Sequence, residues 1–174
     1  MTLAQSDTVT LRRFSPDDLT DFQDYRNDPE VGRYQDWSLM ADDEATKFLS
    51  YMAKVEPLIR PGHWTQIAVT ELATGDLIGD IGLFQSEDEN EAEIGITLAR
   101  AHHRKGYGSA ALSLGFELIW TKTKVQTIRA WADQRNKGSV ALLHSVGMTH
   151  LGTENNDVIE EAFVLRHSAA RVNH

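Results

Sequence analysis

The stretch Glu91–Ala111, EAEIGITLARAHHRKGYGSAA, decides how the rest of the chain is read. Its first eight residues, Glu91–Leu98, suit a strand, and an apolar helix is expected from about Ser109 to Thr121. Between them lies a basic turn holding His102, His103, Arg104, Lys105, Gly106 and Gly108. Backbone N–H groups at a helix N-terminus lack partners and carry about half a positive charge. Glycines let such a backbone approach a phosphate, and Arg and Lys add full charges. A pyrophosphate is the natural guest of this turn.

Three other readings compete. Gly106 and Gly108 could serve only a tight turn. Gly106-Tyr107-Gly108-Ser109-Ala110-Ala111 also matches the G-x-G-x-x-A of dinucleotide folds. That fingerprint expects its first glycine almost directly after a strand of a parallel sheet. Here the seven residues Ala99–Lys105 intervene, and the preceding strands look antiparallel. No G-x-x-x-x-G-K-[ST] string exists, so a P-loop fails.

Working outward, Val9–Arg12 suits a first strand, and Ser15-Pro16-Asp17-Asp18 a helix start with Ser15 as cap. That helix should reach Asn27, before Asp28-Pro29. A second helix is expected over Asp42–Pro57. His63–Glu71 and Leu77–Gln85 read as strands of a hairpin turning at Ala73-Thr74-Gly75-Asp76. After the basic turn and its helix come a strand at Val125–Ala132, a helix at Asn136–Val146 stopped by Gly147, and closing strands Thr149–Glu154 and Glu161–Arg166. The pattern is α+β: antiparallel strands leading into a central βαβα unit.

Length and composition agree. The 174 residues suit one domain, 1–174, with 168–174 expected to be frayed. There is no Cys, which excludes disulfides, a thiol nucleophile and zinc–thiolate sites. No apolar run has the length of a membrane helix, and Met1–Thr10 lacks the pattern of a secretory signal, so a cytoplasmic location with no membrane partner is expected. The net charge of −9 argues against nucleic acid. Yet Ala99–Met148 carries eight Lys/Arg against two acids, so a basic segment sits inside an acidic chain. This split suggests an anionic ligand at the middle of the chain and a cationic one elsewhere.

Several motifs carry a family resemblance. His103-Arg104-Lys105-Gly106-Tyr107-Gly108 resembles the coenzyme A motif Q/R-x-x-G-x-G/A of the GNAT superfamily, with His103 where Gln or Arg is usual. Asn136-Lys137-Gly138-Ser139, continuing to Gly147-Met148, resembles the N-x-x-S/A helix of that family. The opening LRRFSPDDLTDFQDYRNDPEVGRY and the closing EEAFVLR resemble the RimJ/RimL-like branch, and together the resemblance covers about nine-tenths of the chain.

The resemblance implies a single GNAT-like domain with a mostly antiparallel sheet of six to seven strands and about four helices. It also implies an acetyl-CoA-dependent N-acetyltransferase acting on a peptide N-terminus or a small cationic amine. A non-catalytic acyl-CoA sensor of the same fold is the alternative. Acetyl-CoA would meet Ile96, Thr97, Leu98, His103, Arg104, Lys105, Gly106, Tyr107, Gly108, Ser109, Asn136 and His144. The Tyr that often acts as general acid would fall at Leu143, so the Ser of the RimL-like branch, Ser139, takes that role. Asn136 and Ser139 also suit plain helix capping. Glu93 is the expected base, with Asp80 or a water as competitors. Tyr34, Trp37 and Asp80, with Trp64, are expected to line the acceptor groove, although aromatics there could equally be core. Acids at Asp17, Asp18, Asp21, Asp24, Asp28, Glu30 and Glu87–Glu93 would suit a cationic acceptor. No metal is expected, since the histidines lack a spaced ligand pattern. A homodimer is left open.

Overall fold

In the computed structural model, residues 1–168 are described; most of the expected frayed tail, residues 169–174, lies outside them. Strands β1 (Thr2–Gln5), β2 (Val9–Arg12), β3 (Trp64–Glu71), β4 (Leu77–Gln85) and β5 (Glu91–Leu98) form an antiparallel meander. β6 (Thr127–Asp133) then joins β5 in parallel, and β8 (Ile159–Arg166) and β7 (Thr149–Asn155) close the sheet in the order β1-β2-β3-β4-β5-β6-β8-β7. The helices are α1 (Leu19–Arg26), α2 (Pro29–Gly32), α3 (Asp42–Met52), α4 (Tyr107–Lys122) and α5 (Lys137–Ser145).

The sheet therefore has eight strands rather than six or seven. The extra one, β1, is short and partly exposed, and it is held by pairing with β2, so no buried alternation announces it. α2 is the added helix, a single turn capped by the Asp28 side chain on the Glu30 N–H (2.9 Å).

Both faces of the sheet are covered, and the period of two along the strands divides them. Ile67 and Val69 face the cluster built with α4 through Ala111 and Leu112, while Ala68 between them faces the cluster of α1 and α3. In the second cluster, Phe22 packs against Phe14 and Phe48 with ring centroids 5.6 Å away in each case. β4 is consequently buried along almost its whole length, as its run LIGDIGLFQ allows.

Local signals set the helix ends. Ser15 caps the turn Pro16–Asp18 in a capping box, and the Asp18 carboxylate also takes a bidentate pair from Arg12 (2.7 and 2.8 Å). α3 stops at Met52 rather than Pro57 because Val55, Leu58 and Ile59 turn into the core. α4 starts at Tyr107, two residues earlier than expected, because Gly106 takes a left-handed conformation (φ 82°) at its cap.

β4 and β5 approach closely at Gly79, where a Cβ would lie 2.1 Å from the Thr97 carbonyl oxygen. Gly79→Ala should therefore force the two backbones apart and destabilise the protein by about 1–3 kcal/mol or more, read from urea unfolding.

Candidate active site

β5 and β6 pair over only three positions, Glu91 with Thr127, Ala92 with Ile128 and Glu93 with Arg129. Past Glu93, β5 stays on β4 as far as Leu98, while β6 follows β8. The strands diverge, and one edge of Ile94–Leu98 is left without a ladder partner. The bidentate bond from Arg129 to Glu91 (2.6 and 2.9 Å) ties the last paired turns together just before the split.

Two cavities open into this notch. One, of about 630 Å³, runs along Ile96, Thr97 and Leu98 to the turn at His103, Arg104, Gly106, Gly108 and Ser109. Its cations are Arg33, Arg100, Arg104, Arg135 and Lys137, against the single acid Glu30. The first backbone bond of α4 runs from the Ala110 N–H to the Gly106 carbonyl (3.1 Å), so the N–H groups of Tyr107, Gly108 and Ser109 precede the helical ladder. Arg104, like Gly106, is left-handed (φ 58°), which curls this turn around the helix end. Unspent amides, a helix dipole and clustered cations suit a diphosphate.

Most residues expected at the cofactor line this cavity. Lys105 does not, and the Tyr107 hydroxyl turns away to donate to Glu71. His103 bonds through its Nε2 to the Leu98 carbonyl (2.8 Å), tying the turn to the end of β5. His144 also stands off the groove: its ring packs edge-on against Phe163, centroids 4.9 Å apart. Helical geometry explains this. α5 lines the groove with Gly138, Ala141, Leu142 and Ser145, and five residues past Ser139 a side chain points about 140° around the axis. Sequence reading missed Arg135 and Lys137, which flank Asn136; the basic balance of Ala99–Met148 was their signal.

The second cavity, of about 510 Å³, meets the first at Tyr34, Ile96, Thr97, Asn136, Ser139 and Leu142. Tyr34, Trp37, Trp64 and Asp80 all line it, joined by Arg26, Trp131, Asp133 and Glu160. Of the acids thought to attract a cation, only Glu93 reaches this cavity. Asp18 is spent on Arg12 and the Ser15 cap, and Asp28 caps α2.

Asn136 accepts from the Ser139 N–H through its side-chain oxygen (3.1 Å) and so caps α5. Its amide nitrogen remains for the groove. The half-buried Ser139 stands where the cavities meet, and among the described residues its hydroxyl makes no hydrogen bond. Asp80 is buried and accepts from the Tyr25 hydroxyl (2.5 Å). Burial pushes its carboxyl up, and Arg26 and the Tyr25 bond oppose this. Burial, and then repulsion by Glu160, raise Glu93 to about 7.

Against known proteins, residues 8–149 match the model of the acetyltransferase (GNAT) domain. The chain belongs to the GNAT acetyltransferase family. It is an acetyl-CoA-dependent N-acetyltransferase, as its turn and its N-x-x-S helix foreshadowed. An uncharacterized N-acetyltransferase, p20 of Bacillus licheniformis, is 27% identical over 148 residues, covering 84% of this chain and 82% of that protein. Among solved structures, a GNAT-family acetyltransferase from Bacillus anthracis superposes with a TM-score of 0.82 at 18% identity, covering 95% and 98% of the two chains. RimL, a ribosomal L7/L12 α-N-protein acetyltransferase solved with coenzyme A, gives 0.80 at 13% identity, covering 97% and 99%. The cavity beside α4 fits coenzyme A in charge and in its free amides. Among the described residues, no helix is long and apolar enough to cross a membrane, and no three His, Asp or Glu side chains gather as a metal site.

The Glu93 shift bears on stability. Its carboxyl titrates at about 7 when folded against 4.5 in the open chain, so the unfolded state holds fewer protons between those values. Glu93 therefore costs stability as pH rises from 4.5 to 7, by about 2 kcal/mol after allowance for its partial solvent contact. Glu93→Gln should remove that fall, seen as a smaller loss of urea midpoint between pH 5 and pH 8.

Proposed function

We propose that the protein passes the acetyl group directly to a primary amine, with both substrates bound together, through Ser139 and Glu93. The observation that carries this reading is the meeting of the two cavities at Ser139, within the notch opened by β5 and β6. Acetyl-CoA supplies an activated thioester; the residues of the chain supply position, a base and hydrogen bonds.

The cationic cavity beside α4 holds the diphosphate, and the free edge of β5 at Ile96, Thr97 and Leu98 pairs with the amide arm of the cofactor. A backbone N–H of that edge faces the acetyl oxygen and stabilises the charge that develops there. Glu93, raised to about 7 by burial and Glu160, takes a proton from the acceptor's ammonium group near neutral pH. Asp80 suits this role less, because the Tyr25 hydroxyl and Arg26 already engage it. The free Ser139 hydroxyl donates a hydrogen bond to the departing sulfur.

The acceptor cavity supports an amine guest. Asp36, Glu93 and Glu160 line it with no ion-pair partner among the described residues, and Trp64 and Trp131 offer aromatic faces. Both a peptide N-terminus and a small amine agree with these walls. A cytoplasmic location and a homodimer are consistent with such a role and stay part of the proposal.

Release of free thiol from acetyl-CoA, followed with a panel of amines and short peptides, tests this. Turnover should appear with at least one acceptor, and Ser139→Ala should lower kcat roughly 100-fold with little change in acetyl-CoA affinity. For the wild type, kcat/KM should climb with pH through a limb near 7, since only the deprotonated carboxylate is a base. In Glu93→Gln that limb should vanish and the rate fall by roughly 100-fold or more. Tight acetyl-CoA binding with no acetylation of any amine would favour the sensor reading.

A further inference from the structure

Arg26, at the end of α1, is a cation walled into the acceptor cavity. Its side chain is only 9% exposed. The guanidinium lies over the Trp37 ring at 4.1 Å and near the Phe22 ring at 5.0 Å, which fixes its plane. Its one charged partner, Asp80, is 3.9 Å away, beyond hydrogen-bond reach, and the Asp80 oxygen on that side already accepts from Tyr25. Its Nε is both buried and unpartnered.

Such an arrangement is costly in isolation. A buried guanidinium is stable only when its charge is paired and its donors are used. Arg also carries five N–H groups in a flat fork that matches a carboxylate. Asp80 balances the charge of Arg26 from 3.9 Å, yet the fork itself, with its Nε unpartnered, still has donors to offer a guest of this ligand-sized cavity. Stacking on two rings holds the fork in place before the guest arrives, so little entropy is lost on binding.

The rest of the cavity is of opposite sign. Glu93 and Glu160 stand on β5 and β8, whereas Arg26 and Trp37 come from α1 and the segment that follows it. One cavity thus presents a buried cation and unpaired carboxylates from different elements.

We infer that the acceptor is zwitterionic, a free amino acid whose carboxylate is held by Arg26 while its amine faces Glu93. This rests on the transfer reading above and narrows it. A simple amine or polyamine leaves the donors of the fork unused, and a peptide N-terminus offers only a neutral carbonyl where the fork calls for an anion. The chemistry that binds is the carboxylate–guanidinium fork, whose hydrogen bonds to charged groups are the strong kind.

The test compares L-amino acids with their carboxamides and with the corresponding decarboxylated amines. Two readouts are taken: thiol release from acetyl-CoA, and calorimetric binding of each compound to the protein loaded with coenzyme A. The free acid should be preferred over its amide by roughly 10- to 100-fold in both readouts. In Arg26→Gln that preference should shrink to near one, and Arg26→Lys, which keeps the charge but not the fork, should fall between. The preference is a ratio within one protein, and retained coenzyme A binding shows that each variant is folded. Wild-type protein that treats acid and amide alike, in rate or in binding, overturns the inference. Acid-selective binding without acetylation of any amine leaves the Arg26 assignment standing and sinks the transfer reading instead.

Discussion

β5 can hydrogen-bond along both edges only as far as Glu93, and the rest of the site is built around the place where that pairing stops. Three residue pairs join β5 to β6 before the strands part. A longer ladder would have closed the sheet and left no room for a guest. A shorter one would have uncoupled the meander from the closing hairpin. Because Ile94–Leu98 remain anchored on β4, the free edge is rigid although it lacks a partner on one side. Unpaired strand backbone is usually a hazard that proteins cover. Here its end is tied by the His103 side chain, α5 lines the same cavity, and the remaining gap is the notch proposed to hold the substrates.

The sheet also sorts charge. The turn before α4, the start of α5 and the residues around α2 bring cations to one side of the notch. β5 and β8 bring carboxylates to the other, where Arg26, beside Asp80, is the one cation lining the cavity among the described residues. In an acidic chain this separation steers anionic and cationic groups to different ends of one continuous space. Several of the other acids are engaged in caps and pairs: Asp18 with Arg12, Asp28 at α2 and Glu91 with Arg129. Net charge alone would not have told these two populations apart.

Features that depend on neighbours in the chain were legible without the structure. The Ser15 box, the Asn136 cap, the Gly147 stop and the glycine turn at Gly106 and Gly108 each turn on residues within about four positions of one another. Their hydrogen bonds must form locally, and so they leave a local spelling. Alternation marked β2, and the turn Ala73-Thr74-Gly75-Asp76 marked β3 and β4, for the same reason. β1 lacked that mark, because a half-exposed edge strand has no apolar face to write.

The amino-acid sequence by itself determined the α+β order, the basic glycine turn, the capped helix bearing Ser139 and, through them, the family. These follow from backbone periodicity and helix-end chemistry, which act over a few residues. Only the tertiary structure decided that β5 and β6 part after Glu93, that burial and then Glu160 from β8 lift the Glu93 carboxyl, and that Arg26 stacks on Trp37 beside Asp80. It likewise turned His144 toward Phe163 and away from the groove. Electrostatic coupling and burial depend on distance in space, and residues 93 and 160, or 26 and 80, carry no sign of their meeting until the sheet has brought them together.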